Sequence, residues 1–212
     1  TPAITLDGEA ISLYANIELP EDVVQAHAAG AAGIGLFRSE FLFLGRNSLP
    51  DEEEQFVGYR HVAESMKGKH VTIRTLDIGA DKSLSHAPPQ LAINPALGLR
   101  AIRYCLAEPL MFNTQLRAIL RASHYGKINI LIPMLCSLPE INQTLQAIDI
   151  ARQQLDDEKT PYDRNIKIGS MIEIPAAAIA LGAFIKKLDF LSIGTNDLIQ
   201  YTLAIDRADD AV

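Results

Sequence analysis

Short apolar runs alternate along the chain with longer stretches in which apolar residues recur at three- and four-residue intervals. Residues 11–17, 33–37, 71–73, 129–134, 167–172 and 190–193 are rich in β-branched and other apolar side chains and predict strands. The segments between them carry helix-start chemistry. Pro20-Glu21-Asp22 opens a helix that runs through Val23, Val24 and Ala28 and ends at Gly30, its acids favoured by the N-terminal dipole. Ser48 is read as the cap of the next helix, with Pro50 in its first turn and the acids Asp51 to Glu54 behind it. Phe56, Tyr59, Val62, Ala63 and Met66 then follow at helical spacing. The dipole accounts for that acidic cluster without a metal. Residues 97–106 and 110–122 predict two helices split near Pro109. Ser137-Leu138-Pro139-Glu140 repeats the helix start ahead of Ile141, Leu145, Ile148 and Leu155, and residues 175–185 predict an Ala-rich helix.

Short apolar strands separated by helices indicate a parallel sheet covered on both faces. Neither GxGxxG nor GxxxxGK[ST] occurs. There are roughly six strand–helix units, where a complete (β/α)₈ barrel has eight in ~250 residues. The predicted fold is therefore α/β, an incomplete TIM (β/α)₈-type barrel, as one domain over residues 1–212. An open doubly wound sheet is the alternative.

Composition narrows the function. The chain has 212 residues, 48% of them hydrophobic, and a formal net charge of −7. With scattered Lys and Arg, that balance argues against nucleic acid as a partner. An acidic chain can still bind an acidic small molecule where a few arginines converge. No apolar run approaches the ~20 residues that would span a bilayer, and the N-terminus lacks a signal-peptide layout. A cytoplasmic protein without membrane insertion is expected. Cys105 and Cys136 form no spaced motif and are expected to be buried thiols. Thr1 in place of an initiator Met, and the polar ending Asp206 to Val212, lead us to expect a fragment.

Functional residues in such barrels sit just after strands. Those positions hold Arg38 and Glu40, then Arg74 and Asp77, then Glu173, then Asn196 and Asp197. Arginine forks grip phosphate and carboxylate oxygens. Glu and Asp suit Mg²⁺, which keeps part of its shell for substrate oxygens. The pattern describes a site for a small phosphorylated carboxylic acid.

Several strings then point to a family. They are Gly35-Leu36-Phe37-Arg38-Ser39-Glu40-Phe41-Leu42-Phe43, Leu49-Pro50-Asp51-Glu52-Glu53-Glu54-Gln55-Phe56 and Arg74-Thr75-Leu76-Asp77-Ile78-Gly79-Ala80-Asp81-Lys82. Asn94-Pro95, Leu97-Gly98-Leu99-Arg100-Ala101-Ile102-Arg103, Glu173-Ile174-Pro175-Ala176-Ala177 and the run from Gly194 to Arg207 continue the series. Together they resemble Enzyme I of the phosphoenolpyruvate-dependent sugar phosphotransferase system, or the Enzyme I module of a multiphosphoryl transfer protein. Pyruvate phosphate dikinase and phosphoenolpyruvate synthase share the barrel but match these strings less well.

The resemblance implies a barrel that binds phosphoenolpyruvate (PEP) and Mg²⁺ and forms a homodimer. By position, it implies that Arg38 and Arg74 bind phosphate and that Arg100 and Arg207 are further active-site arginines. Asn196 and Asp197 would contact the substrate, Glu173 and Asp197 would hold Mg²⁺, and Lys82 is a nearby basic position. In the family the phosphoryl group passes to a histidine on a separate N-terminal domain and then to a histidine-containing phosphocarrier protein. A cysteine later in the barrel protonates the enolate. His27, His61, His70, His86 and His124 match no acceptor motif, and neither Cys105 nor Cys136 stands at the proton donor's place. No catalytic residue is therefore expected within the chain, and the fragment alone is expected not to turn over. Two other functions fit the rim pattern: a Mg²⁺-dependent lyase or aldolase acting on a pyruvate-like enolate, and a non-catalytic PEP-binding or dimerisation module.

Overall fold

The computed structural model describes residues 3–46, 48–79 and 96–206. Its six strands are β1 (Ala15–Ile17), β2 (Ile34–Arg38), β3 (Val71–Arg74), β4 (Ile128–Ile132), β5 (Lys167–Ile172) and β6 (Phe190–Ile193). They form one sheet in the order β1-β2-β3-β4-β5-β6, and every neighbouring pair is parallel. A doubly wound sheet reverses its strand order part-way across. Here the order follows the sequence throughout, and the sheet curls into an incomplete α/β barrel. The helices are α1 (Val23–Ala28), α2 (Glu52–Ser65), α3 (Ile102–Ala107), α4 (Pro109–Ser123), α5 (Leu138–Asp157), α6 (Pro175–Ile179), α7 (Leu181–Phe184) and α8 (Thr195–Leu203). No described helix is long and apolar enough to cross a membrane.

Local chemistry explains most boundaries. At α5, Ser137 accepts the Glu140 N–H while the Glu140 carboxylate accepts the Ser137 N–H, a reciprocal cap that the sequence announces. At α2 the cap is Asp51, not Ser48: its carboxylate accepts the Glu54 N–H and the Glu54 carboxylate returns the bond. Asp51 and Glu54 have the required spacing, and Ser48 lies too far upstream. Strand β1 is shorter than residues 11–17, and Ile11, Leu13 and Tyr14 are exposed. The helix expected over 97–106 begins only at Ile102. Gly98 and Ala101 have positive φ, and Arg100 instead pairs with Gly79 in an antiparallel bridge. The 175–185 helix breaks at Ala180 (φ −89°, ψ 15°), two residues before the weak helix former Gly182.

The core lies between the sheet and helices α2, α4 and α5. Ile34, Phe37, Ile73, Ile130 and Ile132 from the strands meet Tyr59, Leu116, Ile119 and Ile148 from the helices, all essentially inaccessible. Burying a side chain of this size contributes roughly 1.5–3 kcal/mol. That packing fixes the strand ends from which the rim residues project.

Candidate functional site

Strand register delivers the rim side chains. Arg38 ends β2 and Arg74 ends β3, and the two are register partners across the ladder. Ile172 and Ile193 are partners on β5 and β6, so Glu173 and Gly194 follow side by side. Arg38, Arg74, Arg100, Glu173, Asn196 and Asp197 all line one cleft of 1190 Å³ at this end of the sheet. Arg207 and Lys82 lie outside the described residues.

Within the cleft the charges fall into a buried cluster and a more open margin. Asp77 bridges two arginines: Oδ2 is 3.0 Å from Arg74 Nη1, and Oδ1 is 2.8 Å from Arg100 Nη2. Glu40 Oε1 accepts from Arg74 Nη2 at 2.9 Å and from the Asp77 N–H at 3.0 Å. Arg100 Nη1 donates to the Tyr201 hydroxyl at 3.2 Å and lies 3.8 Å from Asp197 Oδ1. The Tyr201 hydroxyl in turn donates to the Ala96 carbonyl. Both guanidiniums keep an unspent donor, since Nε of Arg74 and Nε of Arg100 are buried without a hydrogen-bond partner. Arg38 stands at the margin, half exposed and paired with Glu18 at 2.6 Å.

Burial and neighbouring charge shift these groups in opposite directions. Burial opposes the charge of Arg74, but Glu40, Asp77 and Glu173 outweigh it and hold the proton more tightly than usual. Arg100 behaves likewise, with Asp77 the main opposing charge. Burial raises Glu40, partly offset by Arg74. Glu173 is pushed up to about 7, chiefly by burial and then by the negative charge of Asp77, with the Met134 N–H working the other way.

Glu173 is also where a cation fits. Its Oε1 accepts the Met134 N–H at 2.7 Å, whereas Oε2 is buried with no hydrogen-bond partner. Met134, which donates that bond, has a left-handed φ of 59°, a strained state for a non-glycine residue. Asp197, in the first turn of α8, contributes enough negative charge to push Glu173 upward. Among the described residues no group of three or more His, Cys, Asp or Glu is placed to hold a metal. Mg²⁺ does not require one, because it commonly takes one or two carboxylates and completes its shell with water and substrate phosphate. Glu173 and Asp197 therefore suit it.

The two cysteines differ. Cys105 is fully buried as expected, its thiol pushed up by burial. Cys136 is only partly buried and lies 3.5 Å from Arg103 Nη2. It follows β4 at the start of α5, where Arg103 from α3 reaches it. Sequence reasoning placed Asp77 and Glu40 on the rim but gave them no part in binding. The three-residue step from Arg74 to Asp77 was the available signal, since the turn after β3 folds the two side chains together. Nothing in the sequence marked Met134.

Comparisons with known proteins give the family. Residues 1–212 match the family described as PEP-utilising enzyme, PEP-binding domain. A phosphoenolpyruvate-protein phosphotransferase of Cupriavidus necator is 60% identical over 100% of this chain and 37% of its own length. Proteins of the same name from Buchnera aphidicola and Geobacillus stearothermophilus are 52% and 50% identical over 99% of the chain, which covers 37% and 36% of their lengths. The chain thus spans little more than a third of the curated relatives it matches. With every residue matched, and with buried arginines and carboxylates sharing one barrel rim, the chain belongs to the family of PEP-utilising enzymes as a PEP-binding domain.

Proposed function

We propose that residues 1–212 form one PEP-binding barrel domain. In the full-length protein, this domain serves transfer of the phosphoryl group of PEP to an enzyme histidine, and then to a histidine-containing phosphocarrier protein for sugar uptake. The observation that carries this reading is the convergence of two largely buried guanidiniums, Arg74 and Arg100, held by Asp77, with Glu173 and Asp197 on one cleft. PEP brings a phosphate and a carboxylate, both of which accept from guanidinium forks. The relatives' shared name favours phosphoryl transfer over the lyase or aldolase alternative.

In this reading Arg38, Arg74 and Arg100 grip the oxygens of PEP. Asn196 and Asp197, at the start of α8, contact the substrate, and Arg207 adds a further cationic contact. Glu173 and Asp197 hold Mg²⁺, which when bound supplies positive charge to the phosphoryl oxygens. As the bond from phosphorus to the enol oxygen lengthens, negative charge grows at that end of the substrate. Arg74 and Arg100 are already desolvated and fixed by Asp77, so they stabilise that charge without reorganising. A cytoplasmic homodimer completes the proposal.

Calorimetric titration of PEP with Mg²⁺ into the full-length protein tests it. Arg74→Ala and Asp197→Ala are each expected to weaken binding by about 2–4 kcal/mol, as for lost charge-assisted contacts in active sites. Wild-type affinity in both variants would refute the rim assignment. Failure of PEP to leave an acid-labile phosphohistidine on the full-length protein would refute the transfer.

A further inference from the structure

Behind the charged rim lies a neutral one. Gln115 sits on α4, 1% exposed, on a face otherwise made of Met111, Phe112, Leu116 and Ile119. Its Oε1 accepts the Leu76 N–H at 2.9 Å, and its Nε2 donates to Ser39 Oγ at 3.0 Å and to the Tyr59 hydroxyl at 3.2 Å. The amide orientation is set by its partners, because a backbone N–H can only donate. Tyr59 donates onward to Gln55 Oε1 at 3.2 Å, and Gln55 Nε2 donates to the Pro50 carbonyl at 3.1 Å. The chain of bonds has one direction from Gln115 to Pro50.

The two turns that Gln115 joins carry the rim. Ser39 lies between Arg38 and Glu40 after β2, and Leu76 lies between Arg74 and Asp77 after β3. Ser39 and Leu76 are themselves buried. We propose that Gln115 is a positioning residue for the arginine rim: one amide on α4 sets the turn after β2 against the turn after β3. The relative placement of Arg38, Glu40, Arg74 and Asp77 follows. A neutral amide suits the task, since it supplies donor and acceptor together without adding charge beneath the buried Glu40. Satisfied buried networks of this kind hold one arrangement of their members, and a displacement of about 1 Å at a site costs binding and rate steeply.

This role rests on the cleft being the PEP site, so the test separates the two. Full-length wild type, Gln115→Met and Thr144→Val are titrated with L-phospholactate and Mg²⁺, at a temperature where circular dichroism shows each to be folded. L-Phospholactate is a saturated PEP analogue that cannot yield an enolate. Gln115→Met keeps the volume and removes every hydrogen bond. Thr144→Val removes a buried hydroxyl bonded to the Glu140 carbonyl on α5, away from the rim turns. Gln115→Met is expected to bind at least tenfold more weakly, with Thr144→Val within twofold of wild type. Should Gln115→Met fail to fold, Ser39→Ala cuts only the β2 arm and is expected to lose more than threefold. Affinity within threefold of wild type in the folded Gln115 variant, or in Ser39→Ala when it stands in, overturns the positioning role. Absence of binding by wild type instead overturns the PEP reading.

Discussion

Gly194 lies so close to Glu173 that a Cβ on it would sit 2.7 Å from Glu173 Oε2 and 2.8 Å from Glu173 Cβ. The backbone there (φ −88°, ψ 82°) is open to any residue, so the constraint is space rather than conformation. Pairing of β5 with β6 produces it: the Gly194 N–H donates to the Ile172 carbonyl at 3.1 Å, which leaves the next residue, Glu173, beside the glycine. Gly194→Ala must therefore turn the carboxylate or part the strands. We expect a stability loss of about 1–3 kcal/mol, as for other overpacked sites, and at least tenfold weaker Mg²⁺ binding by calorimetry. Gly182→Ala is the control, because nothing lies within 4 Å of the added carbon. Equal behaviour of the two variants would remove the case for a steric role.

Glu173 should make stability fall as pH rises. Its ordinary value is 4.5, and in the fold it is pushed up to about 7. The folded chain thus binds this proton more tightly than the unfolded chain. The contribution is complete below 4.5 and is lost as pH climbs through 7. The difference corresponds to about 3 kcal/mol. Urea unfolding of wild type and Glu173→Gln across this range should show the wild type losing about that much relative to the variant. Saturating Mg²⁺ should abolish the loss. A pH-independent difference would contradict the assignment.

The barrel was legible because its signals are local. Each strand is a short apolar run, and the reciprocal cap of Ser137 and Glu140 is written in four consecutive residues. The rim was legible in part for the same reason, since Arg38, Arg74 and Glu173 stand at or just after strand ends. What the sequence hides is set by longer-range pairing. The family resemblance names Arg100, but its route to the cleft is not local: its backbone bridges Gly79 and the next N–H bonds the Ile78 carbonyl, which overrides the helical pattern of residues 97–106. Met134, after β4, has a left-handed φ and donates its N–H to the Glu173 carboxylate just past the end of β5. Gln115 reads as a polar break in an apolar helix face, and its meaning depends on two turns far away in the chain.

The helices behind the cleft are tied by charge as well as packing. Glu52 on α2 bonds Arg117 Nε at 2.6 Å and Arg121 Nη1 at 2.7 Å, both on α4. Arg117 continues to Glu158 at 2.7 Å, and Arg121 lies over the Phe56 ring. Glu52, Arg117 and Arg121 are largely shielded while Glu158 is exposed, so the part centred on Glu52 should exceed an isolated surface pair. Glu52→Gln is expected to lower stability by about 1–2 kcal/mol at low salt, falling toward a few tenths at about 1 M salt. Urea titrations at the two ionic strengths measure it, and a loss indifferent to salt would point to packing instead.

Asp77 is the counter-charge on which the arginine pair depends. Its side chain is 5% exposed and touches both Arg74 and Arg100. Asp77→Asn keeps the shape and one acceptor but leaves two desolvated guanidiniums short of negative charge. Removing one partner of a buried ion pair typically costs about 3–5 kcal/mol, and a loss of that order is expected here. The deficit is electrostatic, so an added anion should repair part of it. Millimolar inorganic phosphate should raise the melting temperature of Asp77→Asn more than that of wild type. If phosphate shifts the two proteins equally, the lost stability belongs to hydrogen-bond geometry and not to charge, and Asp77 is not the group that balances the arginines.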